Sequence, residues 1–117
     1  MPDSVHAPIP PAEFRVLLAL LDGPKHGHAI KLDIGERTGG RVVMGPGTLY
    51  GAIKRLVGRG WIEEIAAPDG SARDERRRYY ALTAVGREAA RVEAGRLEEL
   101  LAIGRIKGLE PATGAGS

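Results

Sequence analysis

Pro46-Gly47-Thr48-Leu49-Tyr50-Gly51-Ala52-Ile53-Lys54-Arg55-Leu56-Val57-Gly58-Arg59-Gly60 is the stretch on which the fold turns. Leu49, Ile53, Leu56 and Val57 recur at i, i+4, i+7 and i+8, which predicts a helix with one buried apolar face. Thr48, Tyr50, Lys54, Arg55 and Arg59 are left for the other side, hydroxyls first and cations after them. Such a surface suits a DNA-recognition helix, whose polar side chains meet phosphates and base edges. Any amphipathic surface helix with a solvated basic face shares the pattern, so the flanking sequence has to decide.

Downstream, Trp61-Ile62-Glu63-Glu64-Ile65 and Arg76-Arg77-Arg78-Tyr79-Tyr80-Ala81-Leu82 flank the turn-rich Ala67-Pro68-Asp69-Gly70-Ser71. This predicts a hairpin, and helix, strand, loop, strand is the order of a winged helix-turn-helix. Arg73, Arg76, Arg77 and Arg78 lie toward the loop, where a wing would run beside a DNA groove. Alternation along the second strand sets Arg76, Arg78 and Tyr80 on one side and Arg77, Tyr79 and Ala81 on the other. Ion pairing of these arginines with Asp74 and Glu75 is the competing reading.

Upstream, Pro10-Pro11 opens a helix whose first N–H groups need no intrahelical partner, with Phe14, Leu17, Leu18 and Leu21 as its core face. Gly23-Pro24 should stop it. A second helix is expected from Gly27 to Thr38, facing Ala29, Ile30 and Ile34 inward and ending at Gly39-Gly40. Arg41-Val42-Val43-Met44 reads as a short strand pairing with the hairpin. Gly45-Pro46-Gly47 then turns the chain and leaves a helix N-terminus where a phosphate can bind.

Thr83 is a good N-cap for a last helix from Ala84 to Lys107. Its apolar stripe is Val85, Ala89, Val92, Leu97, Leu100, Leu101 and Ile103. A three-helix domain cannot cover such an arm along its whole length, so its outer half calls for a second chain. A homodimer is expected, with Val92, Leu97, Leu100, Leu101 and Ile103 at its interface; the competing reading folds the helix back on its own domain. The fold class is thus mainly α with a small β hairpin: a loose tail over residues 1–9, a winged-helix domain over 10–82, a dimerisation helix over 83–107 and a flexible tail over 108–117.

The 117 residues suffice for one ordinary domain. There is no cysteine, which removes disulfides, thiolate metal sites and cysteine nucleophiles and fits a cytoplasmic protein. No stretch reaches the roughly 18 apolar residues that a membrane span needs. The net charge of +2 is unevenly placed: residues 41–78 carry 8 basic and 5 acidic side chains, against 4 and 5 before them and 5 and 5 after. The excess lies on the predicted recognition helix and wing, the footprint of a nucleic-acid partner.

Leu17-Leu18-Ala19-Leu20-Leu21 with Gly23-Pro24 and His26-Gly27, then Gly45-Pro46-Gly47-Thr48-Leu49-Tyr50 with Leu56, then Arg77-Arg78-Tyr79-Tyr80-Ala81-Leu82-Thr83 with Gly86, together resemble the PadR family of bacterial winged-helix transcriptional regulators. The resemblance covers about residues 12 to 105 and is closest to the short branch with a single C-terminal helix. It implies dimerisation through that helix and, mostly, repression of transcription. It also implies that Thr48 and Tyr50 lie at the DNA, that the wing arginines reach the backbone or minor groove, and that Tyr79-Tyr80 brace the wing strand. Two features depart from the family or weaken the pattern. His28 stands where the family usually has tyrosine, and Gly51 and Gly58 each weaken the recognition helix by about 1 kcal/mol relative to alanine.

The expected mechanism is a homodimer on double-stranded DNA, with two recognition helices in successive major grooves about 34–36 Å apart on an inverted repeat. Thr48, Lys54 and Arg73 to Arg78 are expected on phosphates, Tyr50 and Arg55 as candidates for base contact. Arginine can bond guanine bidentately, worth about 1–3 kcal/mol of discrimination. Arg55→Ala should then relax sequence preference and Arg77→Ala weaken all sequences alike. His6, His26 and His28 are the only histidines, and they form no convergent set with an acid and a nucleophile, so no catalytic residue, metal site or cofactor is predicted. His28 is expected to pack or to cap. Trp61 is expected in the core rather than at a drug-stacking site, which leaves two readings: a small-molecule effector between the C-terminal helices, or none. The alternative function is a winged-helix adaptor for protein contacts, whose binding would be insensitive to salt.

Overall fold

The computed structural model describes residues 7–67 and 78–112. Their elements are α1 (Pro11–Ala19), β1 (Lys25–His26), α2 (Gly27–Arg37), α3 (Pro46–Gly58), β2 (Ile62–Ile65), β3 (Tyr79–Leu82) and α4 (Ala84–Ile106). Three short helices and a three-stranded antiparallel sheet, ordered β1-β3-β2, form the winged helix-turn-helix. The long α4 follows it. Among the described residues no helix is long and apolar enough to cross a membrane.

The helix starts follow their sequence signals. Proline occupies the first turn of both α1 and α3, and the Thr83 hydroxyl caps α4 by accepting from the Gly86 N–H at 3.0 Å. The cap of α2 is His26, whose Nδ1 accepts from the Ala29 N–H at 3.1 Å. Capping therefore falls to His26 and not to the exposed His28, whose ring stacks parallel to that of His26 at 6.4 Å. α3 ends in a Schellman turn: Gly60 takes φ 74°, Trp61 N–H reaches Leu56 O at 3.0 Å and Gly60 N–H reaches Val57 O at 3.0 Å. Glycine supplies that left-handed residue without a Cβ penalty, and Trp61 is thereby turned into the core at 7% exposure.

Three sequence expectations are corrected. Arg41–Met44 forms no strand; only Met44 of this stretch is buried, and the third strand is Lys25–His26, paired through Lys25↔Tyr80 and His26↔Tyr79. Two residues before a helix are too few for periodicity to show. The core face of α1 is Glu13, Val16, Leu17 and Ala19, continued by Leu20 at its C-cap, whereas Phe14 is intermediate and Leu18 and Leu21 are exposed. A run of consecutive apolar residues fits several helical faces equally, and tertiary packing chose among them. In α3, Leu49, Ala52, Ile53 and Leu56 are buried as the core side, while Val57 is 40% exposed.

At the other end of the core, the buried Glu93 of α4 ties the N-terminal segment down. Arg96 donates to both of its oxygens, at 3.0 and 2.7 Å. Those bonds, with a smaller contribution from the Ile9 backbone N–H, hold the Glu93 carboxyl below the ordinary carboxylate value of 4.5 against the opposing effect of burial. A depressed folded-state value means stability that is complete above 4.5 and lost as pH falls through the folded value. Glu93→Gln should therefore flatten the acid limb of the stability–pH curve, as read by chemical unfolding at stepwise lower pH. An unchanged acid limb would remove Glu93 from its causes.

Candidate DNA-binding surface

The buried side of α3 fixes what the helix can present. With Leu49, Ala52, Ile53 and Leu56 inward, a 3.6-residue repeat puts Gly47, Gly51, Lys54 and Gly58 on the opposite side. Nothing lies within 4 Å of where a Cβ would stand on Gly47 or Gly58. The outward face is thus backbone with a single exposed cation, Lys54, in its middle. Tyr50 stands on one flank, half exposed, and Thr48, Arg55 and Arg59 on the other, all exposed. The N-cap, Gly45, offers no side-chain acceptor, so no N-cap side chain competes for the first-turn N–H groups, the donors used in anion binding at a helix N-terminus.

The two arginine positions carry a feature that periodicity did not reveal. Glu13 of α1 is only 2% exposed, and its carboxylate accepts from Arg55 Nε at 2.8 Å and from Arg59 Nη1. Arg59 also lies over the Trp61 ring, 5.0 Å from its centroid. The Arg55 guanidinium folds back along the helix, with Nη1 3.3 Å from the Cβ position of Gly51. Gly51 therefore gives room to this arginine, at a cost in helix propensity that the ion pair and packing offset. Both guanidiniums remain about half exposed, 54% and 41%, so each keeps donors toward solvent while anchored to α1. Glu13 and Arg59 are 46 residues apart in sequence, a separation that no local pattern reports.

On the hairpin, Tyr80 is buried and Tyr79 half buried, with the Tyr79 ring edge-on to His26 at 5.3 Å between centroids. Burial chiefly raises the Tyr80 phenol above its ordinary value, so it is a neutral hydroxyl at working pH. Arg78 is exposed and donates to both oxygens of Glu64 on the paired strand, at 3.0 and 3.1 Å. Its predicted acidic partners Asp74 and Glu75 fall outside the described residues, as do Arg73, Arg76 and Arg77 and the loop around Pro68, Asp69, Gly70 and Ser71. Of the predicted residues, the described ones are therefore Thr48, Tyr50, Lys54 and Arg55 on α3, Arg59 at its C-cap and Arg78 just before β3.

α4 leaves the domain with Leu97, Leu100 and Ile103 uncovered. Gly86, Ala89, Ala90 and Glu93 are buried, and the same side continues through Leu97 and Leu100, at 41% and 53% exposure. Ile103 is 47% exposed, and Val92 and Leu101 are intermediate.

Known proteins share this architecture. A transcriptional regulator from Clostridium thermocellum superimposes with a TM-score of 0.70 at 25% identity, over 85% of this chain and 90% of that one. A PadR family transcription regulator from Clostridium difficile gives 0.70 at 20% identity over 80% and 94%, which speaks to the fold. RosR from H. salinarum gives 0.59 at 28% identity over 89% and 81%. A curated relative, an uncharacterized 37.1 kDa protein in transposon TN4556 of Streptomyces fradiae, is 38% identical over 76% of this chain, which spans about a quarter (24%) of that protein's length. The family model of the PadR-like transcriptional regulators matches residues 16–92. That match runs from within the first helix to within the last, and the chain belongs to the PadR-like family of transcriptional regulators.

Proposed function

We propose that this chain is a sequence-specific, DNA-binding repressor that acts in the cytoplasm as a homodimer on an inverted-repeat operator. The observation that carries the reading is the outward side of α3, bared at its two ends by Gly47 and Gly58, with the exposed Lys54 between them and Thr48, Tyr50 and Arg55 on its flanks. A helix so bared can lie deep in a major groove, where backbone and short side chains come within reach of base edges. Lys54 and Arg78 supply phosphate contacts, and the arginines of the wing add to them. Binding of purified protein to its own upstream intergenic DNA, compared with a random duplex at two salt concentrations, tests this. A specific shift of two protomers per site that weakens steeply with salt supports it. Salt-insensitive binding to protein alone, with no DNA shift, would replace it by the adaptor reading.

Lys54→Ala should weaken operator and random duplex alike and lower the salt slope by about 0.9 for the one lost phosphate contact. A loss confined to the operator would move Lys54 to base contact.

The homodimer interface is assigned to α4, through Val92, Leu97, Leu100, Leu101 and Ile103. Leu100 and Ile103 contribute little to the domain's own core, being about half exposed. Leu100→Glu with Ile103→Glu should therefore convert the dimer to a folded monomer in sedimentation analysis and lower operator affinity about 100-fold or more, through loss of the second half-site. An unchanged mass would put the interface elsewhere. A small-molecule effector between the α4 helices is the remaining part of this reading, tested by release of the operator.

A further inference from the structure

Tyr50 stands on α3, but what holds its ring is α2. A Cβ on Gly27 would come within 2.5 Å of the Tyr50 hydroxyl oxygen and 2.8 Å of its Cε1 and Cζ. The phenol therefore lies directly across the first turn of α2, in the space that any other residue at position 27 would fill. Gly27 is buried, yet its backbone is not left-handed, so the turn itself does not call for glycine. The three atoms nearest that Cβ position all belong to one side chain, that of Tyr50. Nor is this floor loose: His26 caps α2 on one side of Gly27 and pairs with Tyr79 in the sheet.

We infer that Gly27 is a positioning residue for DNA recognition: its bare Cα seats the Tyr50 phenol against α2, so that the hydroxyl is held in one pose at the flank of the recognition helix. The inference rests on the reading that Tyr50 meets DNA. A half-exposed tyrosine without such a seat samples several rotamers and must be ordered when the duplex arrives. With it, the ordering is complete before binding. The seat also explains why a glycine opens α2 directly after the capping His26, at a position where alanine would favour the helix.

Gly27→Ala is the discriminating variant because the atoms in its way are the end of a side chain and not backbone. The domain is expected to fold with unchanged or slightly higher thermal stability, while Tyr50 is displaced. The chain has three tyrosines, so the ring signals of protein labelled at tyrosine with carbon-13 report the seat without DNA. The Tyr50 signal should move in Gly27→Ala and those of Tyr79 and Tyr80 much less. On the upstream duplex protected by the wild-type chain, Gly27→Ala should weaken binding roughly three- to tenfold, with little change on random duplex. In a Tyr50→Ala background the same substitution should add nothing.

An unmoved Tyr50 signal overturns the seat. A moved signal with wild-type affinity, where Tyr50→Ala does bind more weakly, overturns its role in recognition while leaving Tyr50 at the DNA. If Tyr50→Ala binds like wild type, it is the placing of Tyr50 at the DNA that has failed, and the inference falls with it. A Gly27→Ala loss that persists undiminished in the Tyr50→Ala background would show that position 27 acts by some other route, which also overturns the proposal.

Discussion

Gly86→Ala is expected to cost the domain about 3 kcal/mol or more, a large part of the roughly 5–15 kcal/mol that a domain of this size possesses. A Cβ at position 86 would stand 1.9 Å from the Trp61 carbonyl oxygen, 2.7 Å from its carbon and 3.0 Å from Leu82 Cδ1. The first two are backbone atoms, held at the start of β2, and cannot turn aside as a side chain does. The first turn of α4 would have to lift away. Lifting it breaks the arrangement in which the Thr83 hydroxyl bonds both Gly60 O, at 2.7 Å, and Trp61 O, at 3.0 Å, while accepting from Gly86 N–H. Gly95→Ala on the same helix is the control, since nothing lies within 4 Å of its Cβ position and it faces away from the buried side. It should stabilise by up to about 1 kcal/mol. Chemical unfolding of the two variants checks the opposition of sign, and equal midpoints would show that the α4–β2 junction is slack.

The contrast also shows what kind of information the sequence carries. Gly86 and Gly95 look alike within an amphipathic pattern, and only the Trp61 carbonyl distinguishes them. Signals local to one element were legible: the prolines opening α1 and α3, the Thr83 cap, the apolar side of α3 and the uncovered stripe of α4. Signals that arise between elements were not. β1 is two residues long and exists because β3 offers it partners. The inward side of α1 was chosen by what packs on it, and its burial of Glu13 has meaning only in the presence of α3. The proposed recognition surface was legible as a set of residue types, Thr48, Tyr50, Lys54, Arg55 and Arg59, because hydroxyls and cations opposite an apolar stripe are a helix-periodic fact. Their poses were not, because Gly27 and Glu13, which hold Tyr50 and Arg55, come from other helices.

Removing both arginines, in Arg55→Ala with Arg59→Ala, is expected to destabilise the domain by about 3–5 kcal/mol. The magnitude follows from which partner is left behind. Glu13 is 2% exposed, and without the two guanidiniums its carboxylate has lost its described ion pairs in a site that water scarcely reaches. Removing the acid is the milder change. In Glu13→Gln the arginines, already about half exposed, are hydrated by solvent, and the amide oxygen still accepts a bond, so the expected cost is about 1–2 kcal/mol. The triple variant carrying all three changes should accordingly be more stable than the double arginine variant, because the buried charge has gone. Unfolding free energies of the four proteins form a cycle, and a triple variant no more stable than the double would mean that Glu13 is not held as a buried anion. The cycle bears on recognition as well. Arg55→Ala removes both an anchor of α3 and a candidate contact to guanine, whereas Glu13→Gln removes the anchor and keeps the arginine. If operator preference survives in Glu13→Gln and is lost in Arg55→Ala under conditions where both are folded, the arginine itself reads DNA. If both lose it equally, the work of Arg55 is to hold the recognition helix against α1.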